Sequence, residues 1–325
     1  MNILFVSSGN KSNDPGKPGA VVYNQGESLK NAGMHVDYFL VKGKGLRGYL
    51  KEAKRLRKYI HHMHPDIVHA HYTLSGWIAV LTFSKQPVVL SLMGTDAYGE
   101  YIGKDKIIPR SRYLLFLTYM IQPFVRAIIC KSKHIQEAVY LKKKSFVIPN
   151  GVYLKRILAE KKGFREVLGL KPEKKYILFL GDTRNKRKNY PLLKQAYNIL
   201  GSENVELITP YPIPHKTVIE YLYSVDVLVV PSFMEGSPNI VKEAMICDCP
   251  VVATDVGDVK WLFGDEPGHL ISNFKPEDLA EKMQQALEFS EEYGRTNGRN
   301  RILELGLDSE SVSRRIIGVY KNVTV

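Results

Sequence analysis

Between Glu235 and Met245 the sequence reads EGSPNIVKEAM, two carboxylates eight positions apart around a turn of small and helix-starting residues. The apolar run DVLVVPS leads into it and PVVATD follows. That order predicts strand, tight turn, helix and strand. Ser237 is expected to cap the helix through its hydroxyl, with Pro238 at the first helical position, where its missing N–H costs nothing. Gly236 lets a ligand approach the backbone. Ile240, Val241, Ala244 and Met245 recur as an apolar face that packs on a sheet. Glu243 then projects from the second helical turn, and Glu235 stands just before the helix. Free N–H groups at Asn239 and Ile240 suit a phosphate. Acceptors for sugar hydroxyls beside donors for phosphate are what a sugar nucleotide requires. Taken singly, Glu235 also fits an exposed turn and Glu243 a surface helix position.

The combination is more specific. Glu-x7-Glu inside EGSPNIVKEAM, followed by CPVVATDVGDV, resembles the donor site of family 4 glycosyltransferases, and the resemblance runs through nearly the whole chain. It implies an α/β chain of the GT-B fold, two Rossmann-like doubly wound domains facing a central cleft. It also implies a retaining hexosyltransferase that takes sugar from a UDP- or GDP-linked donor, needs no cofactor beyond that co-substrate, and serves bacterial cell-surface polysaccharide biosynthesis. Glu235 would then contact the donor sugar and Glu243 the ribose.

The elements that must position these residues follow in order. NILFVSS, VVYNQGESLKNAG and MHVDYFLV form a strand–helix–strand unit whose loop carries Gly16 and Gly19, though not in a G-x-G-x-x-G arrangement. The family places this loop at the cleft, so Gly19 is expected to face substrate. LRGYLKEAKRLRKYIHHMH is a basic helix with Leu46, Leu50, Ala53, Leu56 and Ile60 as its buried stripe. Five of the nine histidines lie in HHMHPDIVHAH, and His69 and His71 share a strand face. Two histidines there admit a metal, but no Cys, Asp or Glu completes a set, and no metal is assigned. PVVLSLMGTDAYG puts Asp96 at a strand's carboxyl edge, where open α/β sheets bind ligands, or simply at the cap of the next turn. Family members often read His-Gly-x-Asp here; Met93 stands in the His position, so the resemblance carries over Asp96 alone. IPNGV resembles the family's hinge signature, with Tyr153 where Asp is common.

The second half begins at YILFLGDTRNKRKNYPLLKQAYNIL, a strand, a cationic loop and a helix. Arg184, Lys186, Arg187 and Lys188 could be a solvated charge run. In the register where the family grips the diphosphate, Lys188 and Arg184 are the expected cations, with Arg187 able to replace Arg184. PYPIPH, with Pro210 and Tyr211, is expected to edge the nucleotide base. The terminal SVSRRIIGVYKNV resembles the family's last helix, which crosses back onto the first domain. Domains are therefore expected at 1–155 on the acceptor side and 156–307 for the nucleotide sugar, with 308–325 as the returning helix. Lys188, Arg184, Glu235 and Asp96 are the catalytic candidates. No Asp-x-Asp occurs, so cations and helix N–H groups would replace a metal at the leaving diphosphate.

The net charge of +13 is uneven. Residues 1–155 carry 23 Lys/Arg against 9 Asp/Glu, and the remainder 23 against 24. A basic first half points to an anionic partner, here an acceptor saccharide or lipid-linked saccharide at an anionic membrane. A nucleic-acid partner is not expected, because aromatic–basic interleaving and a recognition module are missing. A GT-B sugar-nucleotide epimerase is the nearest alternative activity. Three scattered cysteines fit a reducing compartment. MNILFVSS reads as a first strand and not a signal peptide, so a cytoplasmic site of action is expected, at the inner face of the membrane. The uncharged stretch Tyr113 to Val125 is too short to span and reads as a buried or membrane-resting helix.

Overall fold

Short runs of β-branched and aliphatic residues, each followed by a helix, can bury both faces only in a parallel sheet covered on two sides. The computed structural model, which describes residues 1–8, 17–43, 45–104, 106–157 and 164–324, has two such sheets. In chain order the strands are β1 (Asn2–Ser8), β2 (His35–Val41), β3 (Ile67–His71), β4 (Val88–Leu92), β5 (Tyr101–Gly103), β6 (Lys106–Ile107), β7 (Ala127–Cys130) and β8 (Ser145–Val147). They continue as β9 (Lys175–Leu178), β10 (Val205–Ile208), β11 (Val227–Val230), β12 (Val251–Thr254) and β13 (His269–Ser272). The first sheet runs β2-β1-β3-β4-β7-β8 and the second β10-β9-β11-β12-β13. Every pairing in both is parallel; β5 and β6 form a separate antiparallel hairpin.

The chain divides into two compact units. One comprises residues 1–100, 108–151 and 309–325, and the other residues 101–107 and 152–308. In the first, Leu4, Val6, Val68, Leu90 and Ile128 face Leu56, Ile60, Ile78 and Ile121 from the covering helices. In the second, Ile177, Val227, Val229 and Val252 pack on Leu193, Ala196, Met283 and Leu287. The C-terminal helix Ser309–Thr324 lies on the first sheet: Ser313 Oγ donates to Ser28 Oγ at 2.8 Å, and Arg315 donates to the Val147 carbonyl at 2.7 Å.

Two expectations change at this level. The basic helix Gly45–Met63 buries Ala53, Leu56 and Ile60, but Leu50 is 47% exposed. Its buried stripe is therefore narrower than its leucines suggest, and the Leu46 side chain lies outside the described residues. The segment after Ile108 is the helix Pro109–Ile121 followed by the turn Gln122–Phe124, and it buries few of its aromatics.

Candidate functional site

A doubly wound sheet opens a crevice where the strand order reverses, because helices leaving the two strands lie on opposite faces. In the second sheet that point falls between β9 and β11. The loop after β9 carries the cationic run, and the loop after β11 carries Glu235.

The cationic loop is shaped by two asparagines. Asn185 Oδ1 accepts from Arg187 N at 3.1 Å and turns the chain into a single 3-10 turn, Lys186–Lys188. Asn189 takes φ 52°, a left-handed value that Asn tolerates better than most residues, and starts the helix Tyr190–Leu200. Gly181 lies against the Lys188 stem, where an added Cβ would sit 3.4 Å from Cγ, at ordinary contact distance.

The result is a three-residue charge cluster. Lys188 Nζ donates to Glu235 Oε1 at 2.8 Å, and Arg187 lies 2.6 Å from Glu235 Oε2. Ser232 Oγ donates to Oε1 at 2.9 Å, and Arg187 also donates to the Met234 carbonyl at 2.9 Å. Glu235 is 8% exposed. Burial works to raise its pKa, but Lys188 and Arg187 outweigh that and hold it below the usual glutamate value. Glu235 is thus an ionised acceptor, poorly suited to take a proton, and the cluster keeps one net positive charge. Arg184 is elsewhere: its side chain is 89% exposed and bonds Asp182 at 3.0 and 3.1 Å. The favoured Arg184 therefore does not reach the carboxylate, and the structure brings its stated replacement, Arg187, there instead.

The helix after Glu235 is Asn239–Ile246, one residue later than the motif suggested. Pro238 is its N-cap at φ −71° and ψ 114°, and no side chain caps it. The expected Ser237 cap is replaced by a stronger demand on that hydroxyl. Ser237 Oγ accepts from Lys242 Nζ at 2.9 Å and donates to Asp258 Oδ2 at 2.6 Å. Lys242 is fully buried, and burial lowers its pKa to about 8, with Asp258 and Glu243 opposing that fall. Asp258, from the DVGD turn, is raised by burial, and its Oδ1 meets no hydrogen-bond partner among the described residues. Gly257 lets this turn press on the site: at φ 63°, a Cβ there would come within 2.7 Å of the Gly236 carbonyl. Sequence reasoning passed over Lys242 and Asp258. The available signal was a lysine directly beside Val241 on the helix's apolar face.

Val241, Ala244 and Met245 are buried as expected, while Ile240 is only partly so. Glu243 Oε1 bonds His215 Nε2 at 2.9 Å, His215 being the first residue of the helix His215–Ser224 that follows the PYPIPH loop. In that loop Tyr211 is 55% exposed, and Pro210 is half-buried.

The remaining two candidates belong to the first unit. Gly19 is the N-cap of the helix Ala20–Asn31, and a side chain there would meet nothing within 4 Å. Most of its loop, with Gly16, lies outside the described residues. Asp96 is wholly buried. Its Oδ1 accepts from the Met93 and Gly94 amides at 2.8 and 3.0 Å and its Oδ2 from Thr73 N at 3.1 Å. It acts as the clamp of its turn, and burial raises its pKa to about 6. His69 spends both ring nitrogens on Tyr320 OH at 2.6 Å and Ser91 Oγ at 2.8 Å, leaving none for a metal.

With this geometry in place, known proteins give the affiliation. Residues 16–156 match the model for Glycosyltransferase Family 4, and residues 170–288 match that for Glycosyl transferases group 1. An uncharacterized glycosyltransferase of Methanocaldococcus jannaschii is 30% identical over 297 residues, covering 86% of this chain and 81% of the relative. The chain belongs to the family 4 glycosyltransferases. TuaC of Bacillus subtilis, a putative teichuronic acid biosynthesis glycosyltransferase, is 27% identical over 67% of this chain, which spans 60% of the TuaC length. In fold, this glycosyltransferase is similar to the sucrose-phosphate synthase of Thermosynechococcus elongatus, with a TM-score of 0.81, 20% identity and 99% of each chain covered. HepE from Anabaena, solved with UDP and glucose, gives 0.73 and 16%, also over 99% of each. The fold is GT-B.

Proposed function

We propose that this glycosyltransferase moves a hexose from a UDP- or GDP-linked donor to a saccharide or lipid-linked saccharide, with retention, in cell-surface polysaccharide biosynthesis. One observation carries the reading: Glu235 is held ionised by Lys188 and Arg187 at the switch point of the second sheet. As the bond from C1 to the diphosphate breaks, its electron pair stays on the leaving phosphate oxygen. The net positive cluster and the Asn239 and Ile240 amides stand where that charge can be stabilised without a metal. Glu235 accepts hydroxyls of the transferred sugar, Glu243 holds the ribose with His215 on its other face, and Tyr211 edges the base. The acceptor hydroxyl bonds to C1 as its proton passes to the departing phosphate oxygen, which has kept the electron pair of the broken bond; Glu235, already carrying two cations, is not the taker. The UDP bound to HepE and the naming of TuaC support the donor class and the polysaccharide setting.

The uneven charge of the chain supports action at the cytoplasmic face of an anionic membrane, and no described helix is long and apolar enough to cross one. Incubation with UDP- and GDP-hexoses and candidate acceptors tests the reading. Acceptor-dependent release of nucleoside diphosphate is expected. Conversion of the sugar nucleotide without any acceptor would contradict it in favour of epimerisation.

A further inference from the structure

A surface helix ordinarily buries its apolar residues and shows its polar ones to water. The helix Pro109–Ile121 and the turn Gln122–Phe124 depart from this: Ile121 is buried in the core, but most of their aromatic residues face outward. Their inward positions include Ser111, Thr118 and Gln122, each satisfied by hydrogen bonds. Ser111 Oγ accepts from Glu100 N at 3.0 Å, Thr118 Oγ1 donates to the Asp96 carbonyl at 2.6 Å, and Gln122 Oε1 accepts from Tyr140 N at 3.0 Å. Their outward positions include Tyr113, Phe116, Tyr119, Met120 and Phe124, between 42% and 67% exposed, beside the exposed Arg110 and Arg112. Tyr113, Phe116, Met120 and Phe124 follow helical spacing, so they form one stripe. Scattered exposed apolar residues need no cause, but a contiguous aromatic stripe does.

At the Phe124 end the stripe meets a groove of about 620 Å³, whose lining includes Phe83, Lys85, Phe124 and Arg126. Phe83 is 78% exposed. Lys142 and Lys143 are exposed nearby in sequence and structure, and Lys144 is tied to the same turn by bonds to the Pro123 and Val125 carbonyls at 3.2 and 3.1 Å. Aromatic side chains ringed by Lys and Arg are the chemistry of an element that rests in a lipid headgroup layer. A second copy of the chain would place these cations against their own kind across a two-fold axis, which disfavours it.

We infer that this stripe is the surface that docks on an anionic phospholipid bilayer. Tyr113, Phe116, Met120 and Phe124 enter the boundary between headgroups and acyl chains, while Lys85, Arg126 and Lys143 meet headgroup phosphates. This deepens the membrane reading above and is independent of the transfer chemistry. The full chain should be pelleted with vesicles of phosphatidylcholine alone or mixed with phosphatidylglycerol, at low and high salt. Binding is expected only to the anionic vesicles and should fall with salt. The variant F116S/F124S should lower it by about tenfold, and K85Q/R126Q/K143Q by at least as much. Both variants should keep the wild-type melting temperature and nucleotide binding, which separates failure of this surface from failure of the donor site. Unchanged vesicle binding in F116S/F124S would overturn the inference. So would a concentration-dependent dimer that the same variant abolishes, which would mean that a second copy covers the stripe.

Discussion

Two cations bear on one carboxylate at the candidate donor site, and a third, Arg184, a few residues away does not. That division sets the first prediction. Lys188→Ala and Arg187→Ala should each lower kcat by about 10²–10³, the usual cost of losing a preorganised donor to developing charge. Arg184→Ala should stay within about twofold, as for an ordinary surface change. Steady-state kinetics with one donor check all three, and a large loss in the Arg184 variant would reverse the assignment. The sequence showed the cations but favoured Arg184 over Arg187, because the choice rests on Asn185 and Asn189 bending the loop. Acid sensitivity supplies a second test. His71 is buried among Phe5 and His69, its ring nitrogens meet no hydrogen-bond partner among the described residues, and burial lowers its pKa well below 6.5. The unfolded chain therefore takes up a proton there that the folded chain does not, and stability is lost as pH falls below about 6.5. His69 and His269 act in the same direction, while Asp96, raised to about 6, offsets one of them between pH 6 and its ordinary value. His71→Leu should remove that proton uptake, so that stability falls less steeply as pH drops below about 6.5. Denaturation at several pH values would show the shallower slope; an unchanged slope would mean that His71 does not titrate on unfolding.

Among elements, the loop from Glu235 to Pro238 is held from beneath by a polar chain that the motif itself does not announce. Lys242, Ser237 and Asp258 run in sequence at 2.9 and 2.6 Å, all buried. Lys242→Met leaves Asp258 without its cation and should cost about 3–5 kcal/mol of stability. Lys242→Met with Asp258→Asn should recover much of that, because the stranded charge is gone. Urea denaturation of both variants decides it, and equal losses in the two would dissolve the coupling. The strand, turn and helix around EGSPNIVKEAM were legible from periodicity alone, and so was the packing of Val241, Ala244 and Met245. The cap was not: local preference favours Ser237 as an N-cap, but a buried lysine and aspartate claimed its hydroxyl first. The helix Pro109–Ile121 was legible only as a choice between two settings. Its composition suggested burial or contact with a membrane, and only the structure shows that Ser111, Thr118 and Ile121 are turned inward while its aromatics are not.

At the scale of the whole molecule, alternation of apolar strands with helices fixed the α/β class, and the ordered motifs were enough to expect GT-B. The hairpin β5–β6, which groups with the second unit, had no sequence signal, since it is two very short strands far from that unit in the chain. What unites the account is the proposal that the second unit binds a nucleoside diphosphate through cationic side chains and the amides of a helix start, with no metal between. Calorimetric titration of UDP and GDP into the full chain in excess EDTA addresses this most directly, with Glu243→Ala beside the wild type. One of the two nucleotides should bind the wild type, and Glu243→Ala should weaken it by about ten- to a hundredfold, the loss of roughly 1.5–3 kcal/mol for a charged acceptor. Binding that appears only after magnesium or manganese is added, or an affinity unchanged in Glu243→Ala, would contradict the account.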